Sequence, residues 1–402
     1  MTMSAGGRLA EHLSMGVLGA QYPLHEVRAV LEATGRQSER VRALPAEVMT
    51  YYVIALGLLM AVSTGEVLRV LREGLSWLGL QGTSKELGET SGKIACKAAI
   101  AQARVRLGAE PLRLLWERTA KPLAVAGAKG NAGAFHRELR LVALDGTTLD
   151  VPDTEANRAH FGKPGAKRGE AAYPQLRLVG LLETGSHGFF AFAHGPCRTG
   201  EQALAAQVIP SLKKGMLCLA DRFFMTFSLY QQAAATGANV LWRGRNNLVL
   251  PVEEPLEDGS YLSTIYPSTQ ARRRQAGGLR VRVIEYCLED HPEKPTYRLL
   301  TTLLDPKKDP AATLAALYPQ RWEIEGAFDE LKTHLRGGRV VLRSKTPGLV
   351  EQELYGLMLA HRAVRALMWQ AAAGRDPDRL SFTHTVHVVR RKLASSTPAF
   401  SP

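Results

Sequence analysis

Between residues 138 and 243, short apolar runs alternate with turn residues and helical stretches in an order that few folds accommodate. The run RLVALDG (140–146) reads as a buried strand ending in Asp145, and YPQLRLVGLLETGSHGFFAFAHG (173–195) as two strands joined by a Gly-Ser-His-Gly hairpin. A helix opens at Thr199, with Gln202 three residues on, and continues to 212. MLCLAD (216–221) is a further apolar strand that ends in an acid, Asp221; a helix over 225–236 and the strand NVLWR (239–243) follow.

Three strands, helix, strand, helix, strand is the order of an RNase H-like α/β core, in which an antiparallel hairpin extends a sheet completed by helix-connected parallel strands. Residues 244–303 interrupt it with strand-like pieces at 280–288 and 296–303, read as a β-rich insertion. Helices resume at Asp309-Pro310, with Asp309 as the cap, and again near Pro319. The first 125 residues are helical, at 45–62, at 66–78 with a Ser63/Glu66 capping box, and from 92 to 107. On that third helix Lys93, Lys97 and Arg104 form a basic stripe beside an apolar one; it is either a phosphate-contacting face or a solvated one. A long amphipathic helix at 349–370 forms a dimer interface or packs on the core. The expected organisation is a helical N-terminal DNA-binding domain (1–125), the first part of the core (138–243), the insertion (244–303), the second part of the core (304–345), and a helical C-terminal segment with a tail (346–402).

Of 402 residues, 45% are hydrophobic, enough for a sizeable core, and Lys and Arg outnumber Asp and Glu by 51 to 38. A net charge of +13 favours a polyanionic partner such as nucleic acid. Cys96, Cys197, Cys218 and Cys287 lie far apart without zinc-ligand spacing and read as ordinary buried thiols. The start MTMSAGGRLAEHLS lacks signal-peptide character, and the apolar run at 51–62 is too short to cross a bilayer. The expectation is a cytoplasmic, nucleoid-associated protein with no membrane partner.

Asp145 and Asp221 close apolar strands that neighbour one another in such a core, and a helix returning after the insertion brings Glu325 beside them. Three clustered carboxylates repel, and hard divalent ions relieve that repulsion. A pair of such ions suits in-line phosphoryl transfer. Taken singly, Asp145 starts a turn and Asp221-Arg222 is a surface ion pair equally well.

The stretch YPQRWEIEGAFDELK (318–332) sharpens this. Tyr318, Arg321, Glu325 and Lys332 reproduce the Y-R-E-K signature, and the chain resembles bacterial transposases of the insertion-sequence-four family, members of the DDE class. LDGTTLDVPDT, YPQLRLVGLLETG and GMLCLADRFF resemble that family's other blocks, and the N-terminal helices resemble its N-terminal domain, so nearly the whole chain is covered. The resemblance implies a cut-and-paste transposase that binds the terminal inverted repeats of its own element as a dimer. It further implies that Asp145, Asp221 and Glu325 hold two Mg²⁺ ions, with Mn²⁺ as substitute, and that cleavage passes through a hairpin before the 3′-hydroxyl end attacks target DNA. Tyr318, Arg321 and Lys332 correspond to residues that hold phosphates. The family's β-insertion helps to manage flipped bases; Trp242 is either a stacking side chain for such a base or a buried aromatic, and Arg243 and Arg245 are candidate strand contacts. Other readings are an RNase H-like nuclease or resolvase without strand transfer, and a catalytically lapsed repressor bound to inverted repeats.

Overall fold

The computed structural model describes residues 16–38, 44–75, 95–127, 133–166, 169–287, 296–337 and 341–392. Lys93 and the expected first turn of its helix lie outside these. The chain forms two compact units: a helical one built from Met1–Leu123, Leu149–Leu176 and Phe328–Pro402, and a sheet-centred one built from Ala124–Thr148 and Arg177–Ala327.

The helical unit contains α1 (Leu24–Ala33), α2 (Ala46–Leu58), α3 (Thr64–Leu75), α4 (Lys97–Leu107), α5 (Glu110–Thr119) and the long helix Pro347–Ala372. The cap expected before α3 is present, with Ser63 Oγ accepting the Glu66 N–H at 3.2 Å. Nearly every residue of α2 is buried, because the long helix packs against it. Two glycines permit the close crossing: a Cβ on Gly356 would lie 2.5 Å from Val53 O, and one on Gly57 would lie 3.0 Å from Ala360 Cβ. The apolar stripe at 349–370 is thus consumed by packing inside this unit.

Several buried polar groups in this unit are paired with one another. Arg104 is not on a phosphate-facing stripe: it is 7% exposed. Its guanidinium donates to Gln352 Oε1 (2.8 Å), Ser344 Oγ (3.0 Å) and Leu349 O (3.2 Å), while Gln352 Nε2 donates back to Arg104 O (2.8 Å). Helical spacing puts Arg104 one turn from apolar residues that pack, and the only way to bury a guanidinium is to satisfy it. Lys97, by contrast, is exposed. Glu330 is buried between Arg365 and His361 Nε2 (3.0 Å). Asp329 accepts from Thr333 Oγ1 (2.7 Å) and pairs with His334 (3.2 Å), holding the π-helical turn Glu330–His334.

In the other unit one sheet carries the architecture. Its strands are β1 (Leu139–Asp150, the last two residues belonging to the helical unit), β2 (Gln175–Glu183, the first two belonging to the helical unit), β3 (Gly188–Pro196), β4 (Met216–Ala220), β5 (Asn239–Arg243), β6 (Glu254–Pro255), β7 (Tyr261–Ile265), β8 (Leu279–Cys287) and β9 (Thr296–Thr301). Their order is β3-β2-β1-β4-β5-β9-β8-β7-β6, with Phe135–His136 paired to β1. The first five positions, with β1, β4 and β5 parallel, are the RNase H-like arrangement. The insertion is not a separate layer: β9 pairs antiparallel with β5, and β8 and β7 continue outward from it.

Helices α6 (Glu201–Val208) and α7 (Phe227–Ala235) cover one face, burying Leu204, Val208, Leu229 and Tyr230 against β1, β4 and β5. α6 starts at Gly200 and gives way to the 3₁₀ turn Ile209–Ser211, where Pro210 lacks the N–H that an α-helical turn needs. The opposite face is covered by α8 (Ala311–Leu317), which continues through the 3₁₀ turn Tyr318–Trp322 into α9 (Glu323–Asp329). Pro319 opens that 3₁₀ turn rather than a new helix. Nor does Asp309 cap α8: its carboxylate pairs with His136 Nε2 at 2.8 Å, and the Ala311 N–H is capped by Asp258 Oδ2 at 2.7 Å from the insertion. The cysteines also depart from expectation, since Cys218 is buried but Cys96 and Cys287 are exposed. Among the described residues, no helix is long and apolar enough to cross a membrane.

Candidate active site

Strand periodicity places the site. Leu141, Leu217, Leu219, Leu241, Ile284 and Leu299 share the sheet face that packs beneath α8. Continuing the same alternation beyond the helix's cover reaches Asp145, Asp221, Arg243, Tyr286 and Tyr297, and all five line one cavity of about 790 Å³. The β1–β4 register ends at Leu144↔Ala220, so the two aspartates occupy the next step on adjacent parallel strands. Asp145 does not end its strand, as the sequence suggested; β1 runs on to Asp150, and it is the neighbouring β4 that stops.

Trp242 has the opposite parity and is not available to a base. It is fully buried in the α6–α7 layer, edge-on to Tyr230 with ring centroids 5.5 Å apart. The exposed indole of the cavity is Trp322, 58% exposed, with the Arg321 guanidinium 4.4 Å from its ring centre. Tyr286 and Tyr297, paired across β8 and β9, stack at 5.5 Å with the Arg243 guanidinium 4.3 Å over Tyr297. Trp322, Tyr286 and Tyr297 were not singled out in the sequence, and Arg222 entered only as a surface ion-pair partner of Asp221. Counting alternate residues from Ile284 and Leu299 is the signal that finds the two tyrosines.

From the helix side, Tyr318 is buried and its hydroxyl donates to Ala220 O at 3.2 Å, tying the 3₁₀ turn to the strand residue just before Asp221. That contact positions the helix, and Tyr318 also lines the cavity. Glu323 accepts the Gly185 N–H and lies 3.5 Å from His187 Nε2, which pins the start of α9 to the β2–β3 hairpin. Glu325, two residues on, is exposed and lines the cavity. Arg321 Nη1 reaches both Asp145 Oδ2 (3.2 Å) and Glu325 Oε1 (3.3 Å). Arg245 donates to Arg222 O (3.0 Å) and Phe223 O (2.9 Å), so it braces the loop after Asp221 instead of facing outward as a strand contact. Lys332 is exposed on the turn Glu330–His334, in the helical unit.

Burial lifts the Asp145 carboxyl to about 6, against the Gly146 amide and the Arg321 charge, which pull it down; Asp221 and Glu325 add to the rise. Burial is the main cause, and the two neighbouring carboxylates make only the smallest contributions. An all-oxygen donor set of this kind suits a hard divalent cation. Even so, among the described residues no three His, Cys, Asp or Glu side chains converge as a ready-made set of metal ligands.

An RNase H-like sheet with aspartates on adjacent parallel strands and a glutamate from the following helix defines the metal-dependent polynucleotidyl transferases. The profile of the Transposase DDE domain matches residues 136–362, and that of the insertion element 4 transposase N-terminal region matches residues 12–117. The transposase InsG for insertion sequence element IS4 of Escherichia coli strain K12 is 31% identical over 368 residues, covering 90% of this chain and 79% of its own length. A second protein of that strain, InsZ, also named as a transposase, is 27% identical over 233 residues, covering 56% of this chain and 74% of its own. The chain belongs to the insertion-element-4 family of DDE transposases. The cryo-EM structure of the piggyBac transposase synaptic complex with hairpin DNA aligns with a TM-score of 0.46 and 11% identity, over 97% of this chain and 80% of that one, a likeness too distant to carry weight.

Proposed function

We propose that this transposase binds the terminal inverted repeats of its own element as a dimer, cuts the element free and joins its 3′-hydroxyl ends to target DNA. The observation that carries the reading is the adjacency of Asp145 on β1 and Asp221 just past the end of β4, with Glu325 and Arg321 in the same cavity. Asp145, Asp221 and Glu325 would hold the divalent ions, two Mg²⁺ with Mn²⁺ as substitute; bound there, such ions activate an attacking hydroxyl and neutralise the leaving oxygen. In the first step water breaks the P–O3′ bond at the element end, leaving a 3′-hydroxyl. That hydroxyl then attacks a phosphodiester of the opposite strand, forming a hairpin as the P–O3′ bond to the flanking DNA breaks and the flank leaves with a 3′-hydroxyl; after water opens the hairpin, the freed 3′-end attacks a target phosphodiester and displaces a target 3′-hydroxyl.

The chain's own residues supply grip and placement. Arg321, Arg222 and Arg243 present guanidinium groups in the cavity, suited to bidentate phosphate contacts. Lys332, in the helical unit, is a separate candidate phosphate contact. Lys97, with Lys93, is the candidate phosphate contact of the N-terminal DNA-binding segment. Trp322 takes the stacking role the sequence offered to Trp242, and the Tyr286–Tyr297 pair adds a second aromatic platform.

The direct test mixes the purified protein and Mg²⁺ with the DNA flanking its own gene and assays end-specific nicks, hairpins and joints to a second duplex. Nicks without joints would make it a nuclease; neither, with end binding intact, would make it a repressor. A finer test is Trp322→Ala, which should lower hairpin formation by about tenfold, a typical stacking contribution of roughly 1–3 kcal/mol per base. A 2-aminopurine beside the scissile phosphate should lose its protein-induced fluorescence change in that variant. An unaltered signal would assign stacking to the tyrosines.

A further inference from the structure

The cavity holds its own cation. Three carboxylates (Asp145, Asp221, Glu325) and three guanidinium groups (Arg222, Arg243, Arg321) line it, but Arg321 alone among these arginines is buried, 6% exposed. One of its nitrogens is shared between Asp145 Oδ2 at 3.2 Å and Glu325 Oε1 at 3.3 Å. A charge-assisted bond at full strength is about 2.7–2.9 Å long, so both contacts are loose and releasable. The Nε–H of the same side chain is buried without a hydrogen-bond partner, leaving a donor unused. A buried unsatisfied donor is destabilising, and a phosphate oxygen taken by Nε together with a terminal nitrogen would relieve that. Arg321 therefore sits between the carboxylates with the means to leave them for an anion.

We propose that Arg321 is a built-in counter-cation that blocks divalent-metal loading until DNA phosphate draws it away from Asp145 and Glu325. While the guanidinium is shared between two of the three carboxylates, an arriving divalent ion meets ligands already paired and a positive charge beside them. A DNA phosphate competes for the guanidinium and frees both carboxylates at once. Metal and DNA binding then strengthen each other by one factor, as reciprocal linkage requires. The consequence is protective, because a phosphodiester-cutting centre loads its ions only where its substrate is seated. The inference rests on the reading that Asp145, Asp221 and Glu325 are the metal-holding residues, and the experiment separates the two.

Mn²⁺ binding to the full DNA-free chain is measured by the electron paramagnetic resonance of free Mn²⁺, for the wild type, R321Q, R321M, R321K and E325Q, with thermal melting as the check on folding. Either neutral variant, R321Q or R321M, should bind Mn²⁺ about tenfold more tightly than the wild type, within the range of ordinary site couplings. R321K, which keeps a charge there, should stay near the wild type. Adding a duplex of the DNA flanking the gene should tighten Mn²⁺ binding in the wild type by a clearly larger factor than in R321Q or R321M. If the folded neutral variants bind Mn²⁺ no more tightly than the wild type without DNA, the counter-cation role is overturned. If, with the duplex present, E325Q binds Mn²⁺ as tightly as the wild type does, the metal-site reading itself fails, whatever Arg321 does.

Discussion

Glu325→Gln removes strand cleavage, by about a thousandfold or more, and leaves folding and end binding nearly intact. The side chain is exposed, it meets Arg321 only in a loose contact at 3.3 Å, and an exposed substitution of equal size ordinarily changes stability by about 0.5 kcal/mol or less. The chemistry is far more sensitive. A carboxylate that helps hold a catalytic ion accounts for several kcal/mol of charge stabilisation in the transition state, and about 4 kcal/mol corresponds to a thousandfold in rate. The measurement is single-turnover cleavage of an end-bearing duplex beside an electrophoretic binding assay. Cleavage by the variant above a tenth of the wild-type rate would remove Glu325 from the metal site.

Why Glu325 can be assigned such weight shows what was legible in the chain. Each core strand is a run of apolar residues bounded by turns, so the order that defines the RNase H-like plan could be read directly, and the acids after those runs stood out. Parity was equally available, since Trp242 and Arg243 are neighbours on β5 and must face opposite sides. Which side is the site, however, depends on where α8 stops covering the sheet, a tertiary fact with no local signal. Arg104 was read as a phosphate contact because a basic stripe on a helix looks the same whether it meets solvent, DNA or a buried Gln352. The insertion was visible as strands, but strand propensity does not say which edge a strand joins; pairing of β9 with β5 made it an extension of the core sheet. Through that pairing Tyr286 and Tyr297 reach the cavity.

The insertion also anchors the helix that carries the site, and this leads to a second large effect. Arg282 on β8 is fully buried; it donates to Ser260 Oγ (2.8 Å) and Asp309 O (2.6 Å) and forms an ion pair with Asp258. The other bond of that same Asp258 oxygen is the cap on the Ala311 N–H at the start of α8. Burial pulls the Asp258 carboxyl upward, yet the Ser260 hydroxyl and the Ala311 amide, with the Arg282 charge, hold it below the usual carboxylate range. Asp258→Ala leaves a buried guanidinium without its counter-charge and strips a helix cap, and breaking such a pair costs about 3–5 kcal/mol. Its urea midpoint should fall accordingly. Because the folded pKa is depressed, the Asp258 contribution is present in full above the unfolded carboxylate pKa and is lost as pH falls through that value and then the folded one. The gap between wild type and Asp258→Ala should therefore narrow in acid. Pairing the change with Arg282→Met should restore most of the stability, since replacing both partners of a buried pair by apolar groups is often neutral. A double variant as unstable as the single one would mean that the pair is incidental and the cap at Ala311 carries the effect. In that case cleavage would stay low in both variants, because α8 leads directly into Tyr318, Arg321 and Glu325.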